Sequence, residues 1–227
     1  MTLIITYNMK KLAIFDLDGT LVNSLQDIAN ATNYALENLG YPTHQLEDFC
    51  AMVGNGIKVS QTKALPKGEQ TEENTRRMLS FFKPYYHAHL TDYTKTYPGI
   101  SKLLADFQNQ GIKIAVASNK FDSGAKEVVT TLFPELEFSS ILGFRKHVAP
   151  KPDPQIVYDS MQEAGISDKS EVVYLGDSDV DMQTAQNAGV DAIGVTWGFR
   201  TREELTAYQP WLVADETHEI LKHILQN

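Results

Sequence analysis

Residues 10–21 read KKLAIFDLDGTL. Leu12 to Phe15 form an unbroken apolar run, as expected of a strand covered on both faces. The run stops at two carboxylates, Asp16 and Asp18, separated by Leu17 and followed by Gly19 and Thr20. Asp and Gly are turn residues, and a turn alone would account for Asp18-Gly19. Whether the carboxylates do more depends on what stands at the ends of the other strands.

Working outward, similar runs predict strands at 112–117 (IKIAVA), 138–142 (FSSIL), 171–176 (EVVYLG), 191–195 (DAIGV) and near 211–213. Amphipathic helices are predicted between them, at about 99–110, 121–132, 153–164 and 179–188. This alternation predicts an α/β fold, a Rossmann-like doubly wound parallel sheet. The rhythm breaks once. Residues 24–90 show no strand pattern, and helices are predicted there from Ser24 to Leu39 and over 43–51, 55–64 and 71–87. Ser24 reads as the first N-cap, with Asp27 three residues on to meet free N–H groups. Pro84 should kink or shorten the last helix. The division is therefore a core of 1–23 and 91–227, interrupted by an all-helical insertion at 24–90.

In an open parallel sheet, sites form beyond the carboxyl ends of the strands. After the first strand stand Asp16, Asp18, Gly19 and Thr20. After the second stand Ser118, Asn119 and Lys120, and after the 171–176 strand stand Asp177, Ser178, Asp179 and Asp181. Lys151 lies between two prolines in APKPDP, just before a predicted helix. The grouping is several carboxylates, a hydroxyl and one fixed lysine. Clustered carboxylates repel unless a cation lies among them. Hard oxygen ligands suit Mg2+, and a lysine and a serine beside it suit phosphoryl oxygens. One carboxylate could then act as a nucleophile. An EF-hand reading of Asp177, Asp179 and Asp181 fails, because Met182 and Ala188 stand where that loop needs Gly and Glu.

The bulk composition excludes other classes. With 29 Asp+Glu against 20 Lys+Arg the chain is acidic, which argues against a nucleic-acid binder and gives no attraction to anionic lipid. No apolar run approaches the roughly 18 residues of a membrane span. The single cysteine, Cys50, forms no internal disulfide and fits a reducing, cytoplasmic setting. The N-terminus lacks the pattern of a secretory signal. Met9 directly precedes KKLAIF, so the first eight residues read as a short extension.

The motifs DLDGT at 16–20, ASN at 117–119, Lys151 in KPDP and GDSDVD at 176–181 resemble those of the haloacid dehalogenase superfamily, in the expected order and across nearly the whole core. The helical insertion is similar to that family's cap. The resemblance implies a small phosphorylated substrate and Mg2+. It implies Asp16 as nucleophile and Asp18 as the acid and base for the leaving oxygen and the water. Asp16, Asp177 and the backbone carbonyl of Asp18 would hold the metal. Ser118, with the neighbouring amide of Asn119, would bind phosphoryl oxygens beside Gly19 and Thr20. Lys151 would neutralise Asp16 and the transferring group, and Asp181 would orient Lys151 or metal-bound water, with Ser178 behind it in support. Asp179 falls at a variable position and is expected to face solvent.

Finer matches, MVGNGIKV, YPGI, ASNK and VTWGFRTREEL, look like phosphoglycolate phosphatases and near relatives. They suggest a loop at Gly54–Gly56 that closes over substrate, with Asn55 and Lys58 as polar contacts. Arg200 reads as a surface ion-pair group, and Trp197 and Phe199 as core or as a wall of the site entrance. His87 and His89 face apart on a helix, so a shared metal is not expected. The same core motifs would serve a phosphomutase, or a pyrophosphatase or nucleotidase. A non-catalytic binding protein on this fold would usually lack Asp16, Asp18, Lys151 or Asp177, and all four are present.

Overall fold

A computed structural model describes residues 9–226. The reading of the first eight residues as an extension lies outside the described residues. Six parallel strands form one sheet in the order β5-β4-β1-β6-β7-β8. They are β1 (Leu12–Phe15), β4 (Lys113–Phe121), β5 (Ser140–Phe144), β6 (Val172–Gly176), β7 (Asp191–Val195) and β8 (Leu212–Ala214). The remaining two, β2 (Val22–Asn23) and β3 (Lys95–Thr96), pair antiparallel in a separate ribbon.

Alternation along the strands explains the layering. Ala13 and Phe15 of β1 enter one apolar cluster with Ile114, Val116, Val173 and Leu175. Leu12 and Ile14 enter the other, with Ala115, Ala117, Val172 and Tyr174. Helices α4 (Ile100–Asn109), α5 (Asp122–Leu132) and α9 (Thr217–Gln226) supply apolar residues to the first cluster. Helices α6 (Gln155–Ala164), α7 (Asp179–Ala188) and α8 (Arg202–Thr206) supply the second. Both faces are dry, which is why the strands carry continuous apolar runs.

Strand β1 pairs with β4 on one side and β6 on the other. The chain therefore winds outward from β1 in both directions, and a crevice opens at the carboxyl ends where the two windings part. Asp16 and Asp177 end the two strands that meet there.

Between the two ribbon strands the described chain is helical: α1 (Leu25–Asn38), a 3-10 helix (Leu46–Ala51), α2 (Ile57–Ala64) and α3 (Glu72–Ala88). Leu36, Phe49, Met78 and Phe82 join the first core cluster, so the helical segment shares its core with one face of the sheet. Helix α3 runs through Pro84 without being shortened. The expected Ser24 cap is corrected. Ser24 makes no side-chain cap to α1, and its hydroxyl donates instead to Asp18 Oδ1 at 2.6 Å. Asp27 also turns away from its own helix end. It accepts from the amides of Tyr93 and Thr94 at 3.1 and 2.8 Å and from the Thr94 hydroxyl at 2.6 Å. Among the described residues, no helix is long and apolar enough to cross a membrane.

Candidate active site

The loop after β1 is wound tightly around one carbonyl. Leu17 O accepts from the amides of Thr20, Leu21 and Val22, and Gly19 N donates back to Val22 O. Leu17 itself is fully buried, so the alternate residues Asp16 and Asp18 are left for the sheet edge. Gly19 holds φ +95°, and a Cβ there would lie 2.4 Å from an Asp177 oxygen. Only glycine brings these two strand ends together. Gly176 is constrained in the same way, since a Cβ would meet the Asp181 side chain at 2.2 Å.

Asp16, Asp177 and Asp181 converge, with one carboxylate oxygen from each lying within 4.8 Å of the others. Lys151 Nζ stands 2.8 Å from Asp16 and 2.7 Å from Asp181. It also donates to Ala117 O at 3.0 Å and to the Tyr174 hydroxyl at 2.9 Å. Asp181 takes two further bonds from Ser178, 2.6 Å from the hydroxyl and 3.1 Å from the amide. These form part of the capping box that opens α7. Asp177 is held by the Thr20 hydroxyl at 3.1 Å and the Phe199 amide at 2.8 Å.

Charge accounting points to a cation. Three buried carboxylates face one ammonium, which leaves two negative charges uncompensated, the charge of a single divalent ion. Asp16 Oδ1, although 2.8 Å from Lys151 Nζ, lies out of line for a hydrogen bond and is otherwise without a partner. Burial, then the neighbouring Asp181, pushes the Asp16 carboxyl up to about 7 despite Lys151. Burial, then Asp181 and Asp16, holds the Asp177 carboxyl well above its usual range. Both shifts show the strain of ionising the cluster without a cation. Burial opposes the charge on Lys151, and Asp16 and Asp181 more than reverse this. The all-oxygen donor set fits a hard divalent metal.

Beside the cluster is a cavity. Asp16, Asp18, Ser118, Asn119 and Lys120 line it from the core. Ile28, Val53, Ile57, Phe82 and Tyr86 line it from the helical segment, together with Gly54, Gly56 and Ser60, and Phe121 completes the wall. Asp18 has a separate set of partners, the Ser24 hydroxyl and Lys120 Nζ at 3.0 Å. Lys120 also donates to the Tyr86 hydroxyl. Burial works against the Lys120 charge, but Asp18 and Tyr86 hold it above its usual range. Burial pushes the Tyr86 phenol up to about 12.

Several sequence expectations land elsewhere. Gly19 and Thr20 pack on Asp177 and do not line the cavity. The Asn119 side chain bridges the core, bonding the Lys151 amide and carbonyl and also Gly54 O at 3.1 Å. Gly54 and Gly56 do reach the cavity, whereas Asn55 and Lys58 do not. Lys58 is exposed and pairs with Glu72 at 2.9 Å. Arg200 is more than a surface ion-pair group. It meets Asp179 at 3.3 Å and donates to the carbonyls of Cys50 and Val53 at 2.7 and 3.1 Å, clasping the helical segment to the core. Asp179 is accordingly only partly exposed. Trp197 donates to Thr20 O at 3.0 Å.

Lys120, Tyr86 and Tyr174 were given no role from sequence. Lys120 carried a signal, since it stands two residues after Ser118 on β4 and so shares its side of the strand. Tyr86 continues the buried stripe Met78, Phe82, Tyr86 of α3 and is indistinguishable there from core.

The family profile of the haloacid dehalogenase-like hydrolases matches residues 13–195. The phosphoglycolate phosphatase of Pseudomonas savastanoi pv. phaseolicola is 32% identical over 94% of this chain and 79% of its own length. That of Mannheimia succiniciproducens is 30% identical over 93% and 97%. A crystal structure from Lactobacillus delbrueckii subsp. bulgaricus, assigned as a phosphoglycolate phosphatase by inference, superposes with a TM-score of 0.90 at 32% identity, covering 95% of this chain and 98% of that one. With the profile spanning most of the chain and relatives of this identity covering nearly all of it, the chain belongs to the haloacid dehalogenase-like hydrolases and is a phosphatase of that family.

Proposed function

We propose that this phosphatase hydrolyses a small phosphate monoester of the phosphoglycolate type, through an aspartyl-phosphate on Asp16 and with Mg2+ as its cation. The observation that carries the reading is the uncompensated charge of Asp16, Asp177 and Asp181 around Lys151, beside a cavity that Asp18 also lines. Asp16, Asp177 and the Asp18 carbonyl would hold the ion, which when bound supplies charge to phosphoryl oxygens and keeps Asp16 ionised.

Asp16 attacks phosphorus, forming a P–O bond as the bond to the leaving oxygen breaks. Asp18 gives that oxygen its proton and later takes one from the attacking water, which releases phosphate and restores Asp16. Lys151 neutralises charge on Asp16 and the transferring group. Ser118 offers its hydroxyl to a phosphoryl oxygen. Asp181 and Ser178 act through Lys151 by fixing its position. The helical segment 24–90 serves as a cap whose closing excludes bulk water. The lone half-buried Cys50 fits a cytoplasmic setting.

The test is release of free phosphate from a panel containing phosphoglycolate, pyrophosphate, mononucleotides and sugar phosphates. Phosphoglycolate or a close analogue should be the preferred substrate. Asp16→Asn and excess EDTA should each remove activity. Near-normal turnover by Asp16→Asn would end the covalent mechanism, and activity unchanged in EDTA would end the role of the cation. Transfer of phosphate to a second sugar without release would identify a mutase instead.

A further inference from the structure

We propose that Lys120, fixed by Tyr86, selects monoesters whose leaving alcohol carries a carboxylate; this rests on the small-monoester reading above. An ammonium has three N–H donors. One side of Lys120 Nζ meets the Asp18 carboxylate, at 3.0 and 3.4 Å. A second donor meets the Tyr86 hydroxyl. The contact to Asp18 Oδ2, at 3.4 Å, is the longest of the three and near the limit of a hydrogen bond, and the Lys120 side chain, only 2% exposed, lines the cavity. A ligand carboxylate in the cavity would take over that weakest contact with a charge-assisted hydrogen bond, while Asp18 Oδ1 and Tyr86 keep the ammonium in place.

Position specifies which part of the ligand this would be. Asp18 must touch the leaving oxygen to protonate it, and Lys120 Nζ is 3.0 Å from Asp18. A carboxylate one carbon from the leaving oxygen would therefore fall beside Nζ. Among the charged residues lining the cavity, Lys120 is the one cation, the others being Asp16 and Asp18. The facing wall is mostly apolar, Ile28, Val53, Ile57 and Phe82, with the Ser60 and Tyr86 hydroxyls as its polar side-chain groups, so it offers few hydrogen bonds to sugar hydroxyls or a base. A short acidic leaving group satisfies both sides.

The two arms of Lys120 come from different parts of the fold. Asp18 belongs to the β1 loop and Tyr86 to α3, so the ammonium is fully positioned only with the helical segment packed down. Selection of the acid and closure would then occur together.

The test compares kcat/KM for phosphoglycolate and for ethylene glycol monophosphate, which is nearly the same size but lacks the carboxylate. The ratio of the two values is independent of the fraction of protein folded, so an unstable variant still reports. Wild type should favour the acid. Lys120→Met should lower the ratio by roughly 10–100-fold, the range for a lost charge-assisted hydrogen bond, chiefly through KM. Tyr86→Phe, which keeps the charge and loses its anchor, should lower it by a smaller factor. An equal loss on both esters in Lys120→Met would show that Lys120 serves Asp18 alone and would overturn the proposal, as would a wild type without preference. Failure of wild type to release phosphate from either ester is a separate result, which would bring down the small-monoester reading and this inference with it.

Discussion

At the sheet edge the charged groups are held from several sides by the core. Lys151 has four partners, and Asp181 is met by Lys151 and by both the hydroxyl and the amide of Ser178. The helical segment meets the same cavity mainly with apolar side chains and glycine backbone. Several of its ties to the core run through its carbonyls, those of Cys50 and Val53 to Arg200 and that of Gly54 to Asn119. One region fixes charge to within a hydrogen-bond length, and the other shapes and covers. The contrast teaches that the two regions are built in different chemistry: titratable side chains at strand ends on one side of the cavity, wall shape and backbone contacts on the other.

The sharpest way to break this contrast is at Lys151. Lys151→Met should reduce turnover to the assay floor and lower unfolding free energy in metal-free buffer by about 3–5 kcal/mol, the usual cost of stranding buried charge. Urea denaturation measures it, and undiminished stability would show that the core edge is less rigidly balanced than its contacts imply. A second, smaller effect concerns pH. The Asp16 and Asp177 carboxyls are raised in the folded chain. The stability from Asp16 is therefore full below about pH 4, its unfolded value, and is lost as pH rises through about 7, and the Asp177 shift acts in the same direction. Melting temperature in EDTA should fall over that interval, and Mg2+ should raise it more at about pH 8 than at about pH 5. An equal shift at both pH values would place the cation elsewhere.

Two further variants probe the covering region. Arg200→Ala removes the clasp on two carbonyls and should raise KM about tenfold, in line with charge-assisted bonds, while kcat changes less. A fall in kcat alone would assign Arg200 to the chemistry. The Asn55→Ala/Lys58→Ala double variant should have the smallest effect, kcat/KM unchanged within error on every ester, because Lys58 pairs outward with Glu72 and neither residue lines the cavity. A selective loss would show that this loop rearranges over substrate.

The same contrast governs what could be read from sequence. Strands β1, β4 and β6 were legible because continuous apolar runs end in Asp, Ser or Asp at a place where a parallel sheet must open. The meeting of Asp16, Lys151, Asp177 and Asp181 followed from that topology. Ser24 and Asp27 misled, because their spacing is that of a helix cap while Ser24 turns back to Asp18 in the β1 loop and Asp27 meets residues 93–94, far along the chain where no local rule looks. The Thr20 bond to Asp177 was hidden for a related reason, since it spans two strand ends. Arg200 was legible as a charge but not as a clasp, because backbone carbonyls leave no trace in residue identity.

The Asp27 carboxylate has a wider consequence. It ties the first turn of α1 to residues 93–94, beside the ribbon in which Val22 faces Thr96 and Asn23 faces Lys95. The departing and returning chains are thus stitched together at a single neck. The six-stranded sheet is complete on the core side of that neck, and the helices beyond it supply none of its strands. Any other cover grafted at that neck would have to resupply what these helices give the core, the Tyr86 anchor of Lys120 and the apolar packing of Leu36, Phe49, Met78 and Phe82.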